Sequence, residues 1–304
     1  MTLPRDYLAL MAAAATGVQV GAAMVATRYV THDIGPASLA LLRYSIAFIC
    51  LLPFALAFRK VRVARGDLVA IAGFGILQFG VLIALLNIGL RYMPATRAAL
   101  LFSTFPLLTM VVAAALGRER LTGTRTAGVL LTIVGVSVTL GEGLFVETRS
   151  GELTGALAVL GAALCGAVCS VLYRPYLQRC PTVLVGAIAM FASVIFLSGF
   201  AAMEGLFTDG FSIGVTGWVI VGFIGLSSGI GYLLWLWALK HASPTRVTVF
   251  LSLSPVTAAV LGVSVLGEPL TAGTLIGLAA VVGGLWVATR LPASEPAAVR
   301  IKSR

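Results

Sequence analysis

Ten stretches of the chain are apolar over a length close to a membrane crossing, each bounded by charge, glycine or proline. They lie near 7–28, 38–58, 68–90, 95–116, 124–141, 154–173, 182–203, 214–239, 244–266 and 272–290. About 20 residues at 1.5 Å rise span the roughly 30 Å of hydrocarbon in a bilayer. The pattern therefore predicts ten transmembrane helices, the fifth being the shortest. The first stretch is too long for the apolar core of a cleavable signal peptide and is read as a span.

Composition agrees. Hydrophobic residues make up 59% of the 304 positions and charged residues only 11%, against roughly 25% charged in soluble domains. Mean hydropathy is +1.04. A soluble domain so composed would expose large apolar patches, and a disordered chain would be far more polar. A water-soluble enzyme is excluded. The cysteines Cys50, Cys165, Cys169 and Cys180 do not form the framework of a small secreted domain. Cys165 and Cys169 make half a zinc site at best, so small apolar packing is expected of them, with no metal and no cofactor.

The net charge of +10 would in a soluble protein raise nucleic-acid binding. No basic stripe studded with aromatics is present, and no nucleic-acid partner is expected. Placed on the ten spans with a cytoplasmic N-terminus, 16 Lys and Arg fall on the inner side and 4 on the outer, with Arg43 inside a span. That is the positive-inside pattern. Outer loops also collect Glu142, Glu147, Glu152, Glu204 and Asp209. Membrane topology thus accounts for the basicity, with both termini cytoplasmic and lipid as the surroundings.

The chain also repeats itself. Residues 68–140 align without a gap to 217–289 at an offset of 149, with 18 identities in 73 positions. Among them are Thr96/Thr245, Arg97/Arg246, Ser103/Ser252, Pro106/Pro255, Glu119/Glu268 and Gly128/Gly277. Apolar composition inflates such scores, but proline, arginine and glutamate in register are harder to obtain by chance. The expected organisation is a first repeat at 1–148, a second at 149–291 and a basic tail at 292–304. Five spans per copy is an odd number, so the second copy enters the membrane from the opposite side. This inverted-topology plan recurs in secondary transporters.

Three stretches carry a family resemblance. They are Gly35-Pro36 with Leu42-Arg43-Tyr44; Ser103-Thr-Phe-Pro106 through Glu119-Arg-Leu-Thr122 and Gly128; and Ser252-Leu-Ser-Pro255 through Glu268-Pro-Leu-Thr271 and Gly277. Over nearly its whole length the chain resembles the EamA branch of the drug/metabolite transporter superfamily. The resemblance implies an all-α, ten-helix protein whose helices 1–4 and 6–9 surround a central cavity, with helices 5 and 10 as outer scaffold. It further implies export of small organic molecules across the bacterial inner membrane, aromatic and other neutral amino acids among them.

Polar groups within spans are costly and often functional. Gln19 lies between Gly17 and Gly21, a spacing that lets helices approach closely; its amide meets either substrate or a neighbouring helix. Arg43 lies roughly 7–8 Å from the outer end of its span at 1.5 Å per residue. It either snorkels to the interface or meets a substrate carboxylate. Gln78 and Phe79 are matched at the offset by Ser227 and Ser228, and Tyr232 and Trp235 continue that helix face; these six are candidate cavity positions. An aromatic face suits apolar, aromatic or cationic solutes. Asn87, nearer the outer end, is expected to bond backbone. Pro106 and Pro255 are expected to bend the fourth and ninth spans, as hinges or as fixed kinks. Glu119 and Glu268 precede the fifth and tenth spans, where a carboxylate caps the helix or couples an ion. No acid stands mid-span, so proton coupling through a buried carboxylate relay is not visible, and coupling stays open.

Gly225-Leu-Ser227-Ser-Gly229 matches the nucleophile elbow, which needs a strand-to-helix turn and a histidine partner. Here it falls inside a predicted helix, so no enzyme is expected. The expectation is a secondary transporter exporting a small-molecule substrate by alternating access, neutral or aromatic amino acids being the leading class. Cationic or aromatic drugs and a passive channel are the alternatives.

Overall fold

The computed structural model describes residues 5–58, 60–118, 151–208, 213–269 and 271–289, together with scattered positions between 123 and 135. All the regular structure among them is helical. Eight helices are long and apolar enough to cross a membrane: α1 (Arg5–Val30), α2 (Pro36–Leu56), α3 (Arg65–Tyr92), α4 (Ala95–Ala115), α5 (Glu152–Arg179), α6 (Thr182–Met203), α7 (Val215–His241) and α8 (Pro244–Leu266). A further apolar helix, α9 (Ala272–Thr289), follows. These coincide with the first four and last five stretches of the sequence. The fifth stretch, 124–141, Glu119 and the tail lie outside the described residues in whole or large part.

Helix starts follow local chemistry. Prolines occupy the first turn of α2 and α8, where a missing N–H costs nothing and the fixed φ favours a helix. Gly267, at φ 65°, ends α8. Gly267 N–H bonds Val263 O at 3.2 Å and Glu268 N–H bonds Gly262 O at 3.0 Å, the left-handed turn that glycine makes at least cost.

Helix packing follows the repeat. α1 packs on α7 and α8; correspondingly α5 packs on α3 and α4. α2 packs on α7 and α6 on α3, while α2 meets α6 and α4 meets α8. Exchanging α1–α4 for α5–α8 maps this set of interfaces onto itself. The Gly17 and Gly21 face of α1 lies against backbone of α8: a Cβ added at either position would collide with the carbonyl of Phe250 or of Ser254. The glycine spacing thus serves close helix contact.

Polar ties sort the helix ends into two groups. In one, Arg28 Nη1 donates to Leu90 O (2.6 Å), Asn87 Nδ2 to Pro36 O (2.9 Å), and Arg97 pairs with Glu152 (2.8 Å). In the other, Arg118 Nη1 donates to Val171 O (2.5 Å), Gln178 Nε2 to Lys240 O (2.8 Å), and Arg179 pairs with Asp67 (3.4 Å). Each tie joins ends that the charge pattern places on one side of the membrane.

Candidate functional site

Three spans are not continuous helices: α5 is interrupted near its end at Tyr173, between segments Glu152–Leu172 and Arg174–Arg179, and α4 and α8 are interrupted further inside. α4 is interrupted at Ser103–Thr104, with one helical segment at Ala95–Phe102 and the next at Phe105–Ala115. α8 runs as helix over Pro244–Val249, tightens to a 3-10 turn over Phe250–Leu253, and resumes at Ser254. Pro106 and Pro255 sit in the first turn of the resumed segments. The prolines therefore mark breaks, not the bends within continuous helices expected from sequence: each lacks the N–H that would bridge to the preceding turn. Buried hydroxyls spend their protons on the turn before the break, Ser103 Oγ donating to Ala99 O (3.0 Å) and Thr104 Oγ1 to Leu101 O (2.8 Å). Broken helices at equivalent places in two repeats characterise transporter binding regions.

α3 departs from regularity too. Ile76–Val81 forms a π-helical turn, a feature frequent at functional sites. It carries Gln78 and Phe79. The sequence offers no signal for it beyond Gly75 before it and Gly80 within it.

The irregular segments of α3, α4 and α8 border one cavity of about 80 Å³, lined by residues of α1, α2, α3, α4, α7 and α8. Gln19, Arg43, Gln78, Phe79, Ser228, Tyr232 and Trp235 all line it. Ser227 does not; its Oγ accepts from Gln19 Nε2 at 3.3 Å. Gln19 thus both faces the cavity and ties α1 to α7. Thr16, Met24, Tyr44, Phe102 and Phe105 also line the space; the sequence does not single them out as cavity positions, although Tyr44 and Phe105 lie within the family motifs.

Arg43 does not snorkel. It is only 7% exposed, because its Nε donates to Ser228 Oγ at 2.7 Å on α7. That is its sole hydrogen bond among the described residues, and no Asp or Glu lines the cavity. A guanidinium offers five N–H donors, so most of its binding capacity is unspent. Facing it, Phe79 lies between two tyrosines, with ring centroids 4.5 Å from Tyr44 and 4.3 Å from Tyr232. Phe105 meets Trp235 edge-on at 6.1 Å.

The acids work elsewhere. Glu268 caps a helix, but not the one that follows it. Its carboxylate accepts from Ala95 N–H (2.8 Å), Thr96 N–H (3.3 Å) and Thr96 Oγ1 (2.9 Å), at the start of α4. The left-handed turn at Gly267 folds the chain back, and Gly262 leaves the space: a Cβ there would stand 2.8 Å from the carboxylate. Glu204, at the end of α6, caps α2 alike, accepting from Ala37 N–H (3.0 Å), Ser38 N–H (2.8 Å) and Ser38 Oγ (2.7 Å). Asn87 bonds backbone, as expected. The Gly225–Gly229 segment lies within α7 and offers no strand-to-helix turn.

A set of spanning helices around a polar and aromatic cavity, two of them broken at matching points, defines a membrane transporter. The sequence profile of the EamA-like transporter family matches the chain twice, over 7–141 and 153–290; the chain belongs to this family. It is 30% identical over 283 residues to a probable terminal-alkyne amino-acid exporter of Streptantibioticus cattleyicolor, covering 93% of each chain. It is 26% identical over 299 residues to a probable amino-acid metabolite efflux pump of Salmonella typhimurium, covering 94% of this chain and 95% of that one. An uncharacterized transporter of Archaeoglobus fulgidus is 25% identical over 271 residues, 89% of this chain and 94% of its own. A solved crystal structure shares the fold, with a TM-score of 0.72 at 24% identity over 99% of both chains. The protein is a multi-pass membrane transporter.

Proposed function

We propose that this transporter exports neutral or aromatic amino acids across the bacterial inner membrane, with both termini cytoplasmic. The observation that carries the reading is Arg43: a buried cation, hydrogen-bonded only to a neutral hydroxyl, in a cavity walled by aromatic rings. Burying a charge without a counter-charge is expensive. A substrate carboxylate repays that cost with charge-assisted, bidentate hydrogen bonds, while Phe79, Trp235 and their neighbours take the side chain. The same cation repels cationic drugs. Two relatives bear amino-acid exporter names, which points the same way.

The carrier works as ten helices in two inverted five-helix repeats that rock about the site. Support comes from the exchange pattern of the interfaces, the matched breaks in α4 and α8, and the charge asymmetry. Glu204 and Glu268 each bind the start of a helix in the first repeat, on the side the charges mark as outer. They act as latches holding the repeats together there.

Counterflow in proteoliposomes tests the reading. Preloaded unlabelled phenylalanine should drive saturable uptake of labelled phenylalanine, and Arg43→Gln should abolish it. Exchange of another solute with none of phenylalanine or leucine would overturn the substrate class. Non-saturable flux would mark a channel.

A further inference from the structure

Four buried polar atoms at or beside the cavity lack hydrogen-bond partners: Thr27 Oγ1, Gln78 Oε1, Tyr232 Oη and Tyr173 Oη. Gln78 and Tyr232 line the cavity. Tyr173 stands behind them at the junction of the two helical segments of α5, 1% exposed, held by Phe74 at 5.5 Å between ring centroids. Its hydroxyl lies within interaction range of that of Tyr232. Buried polar atoms are nearly always satisfied, and an orphan costs free energy. The unpaired amide oxygen of Gln78, an acceptor only, and the phenol oxygen of Tyr232 leave room at the cavity edge for a ligand that brings donors.

Geometry and charge narrow that ligand. Ser228, which holds Arg43, and Tyr232 are one turn apart on α7, about 6 Å along the axis. A group at Tyr232 therefore sits next to a carboxylate held by Arg43. An amide oxygen and phenolic oxygens accept hydrogen bonds, and the rings of Phe79 and Tyr232 present faces that attract cations. Oriented neutral acceptors can hold an ammonium whose charge the same molecule's carboxylate balances.

We propose that Gln78 and Tyr232 form an ammonium subsite, and that Tyr173 is a positioning residue for it. When the ammonium binds, the Tyr232 hydroxyl turns its single proton to the neighbouring Tyr173 oxygen and presents only lone pairs toward the cavity. With Arg43 at the other end, the cavity selects zwitterions over both acids and amines. The inference rests on the amino-acid reading above and adds the recognition of the second charged group.

Competition against labelled phenylalanine counterflow in proteoliposomes separates the two. The competitors are unlabelled phenylalanine, 3-phenylpropanoate, which lacks the ammonium, and 2-phenylethylamine, which lacks the carboxylate. In the wild type phenylalanine should compete at least about tenfold better than either analogue, the scale of one lost buried hydrogen-bonding group. Tyr232→Phe and Tyr173→Phe each delete one oxygen. Both should bring phenylalanine down to the potency of 3-phenylpropanoate and leave the potency of 3-phenylpropanoate itself unchanged. A general packing defect would weaken all three competitors together. An unchanged phenylalanine-to-phenylpropanoate ratio in both variants overturns the subsite while leaving the amino-acid reading intact. Absence of phenylalanine counterflow in the wild type, with exchange of another solute present, overturns both.

Discussion

Glu268 and Thr96 are 172 residues apart, yet the Glu268 carboxylate closes on the Thr96 hydroxyl at 2.9 Å and on the N–H groups of Ala95 and Thr96. The start of a helix carries unpaired donors and partial positive charge. An acid there binds more firmly than an ordinary surface carboxylate, and here it joins the end of α8 to the start of α4. Replacing Glu268 with Ala should lower stability by about 1–2 kcal/mol, the usual loss for a helix cap. The check is thermal unfolding in detergent. Glu268→Gln, which keeps an acceptor oxygen, should lose less.

Arg43 and Lys are not equivalent at this site. The Nε bond to Ser228 orients the planar fork and leaves the outer nitrogens for substrate. A lysine keeps the charge but loses the fork. Arg43→Lys should raise the KM for amino-acid transport about tenfold or more, and Arg43→Gln should raise it further. A KM unchanged in Arg43→Lys would remove the bidentate contact from the mechanism.

The aromatic wall should set side-chain preference. Trp235→Ala removes the ring that meets Phe105 edge-on. It should slow transport of phenylalanine more than of alanine, with insertion unchanged at matched protein levels. Gln78→Ala should reduce transport of both. Initial rates in proteoliposomes decide it; normal rates in both variants would take these residues out of the site.

α1 should tolerate no bulk at Gly21. A Cβ would meet the Ser254 carbonyl and stand 2.7 Å from Thr257 Cβ, and rigid backbone cannot give way as a side chain end can. Gly21→Val should cost several kcal/mol through overpacking, on the order of 1–3 or more, and shows as loss of the monodisperse peak in size-exclusion chromatography. Gly73→Ala, with nothing within 4 Å of the added carbon, is the matched control.

The proposed inversion of the two repeats puts positions 149 apart on opposite sides of the membrane. In a cysteine-free background, Tyr92→Cys and His241→Cys should label from opposite faces with an impermeant maleimide, Tyr92→Cys from outside. Labelling of both from one face would rule out the inversion.

Apolar runs, punctuation and charge were enough to place nine of the helices described here. A bilayer leaves few solutions for an apolar segment: the helix satisfies its own backbone, and its length and flanking charges are local facts. The sequence also made Arg43 visible as a charge within a span, Gln78, Phe79 and Ser228 as positions matched at the 149-residue offset, and Tyr232 and Trp235 as the continuation of that helix face, since polar and aromatic groups stand out against leucine and alanine. Sequence did not decide where each side chain spends its hydrogen bonds. Arg43 turns inward because a serine on α7 lies within reach, and Glu268 caps α4 because a left-handed turn at Gly267 aims it there. Tyr173 comes near Tyr232 only because α5 packs on α3 and on the end of α7. Whether proline bends a helix or breaks it, and whether a glutamine sits in a π turn, depends on neighbours that supply or withhold partners for the freed backbone. Those are contacts between residues far apart in the chain, so they exist only once the helices are packed.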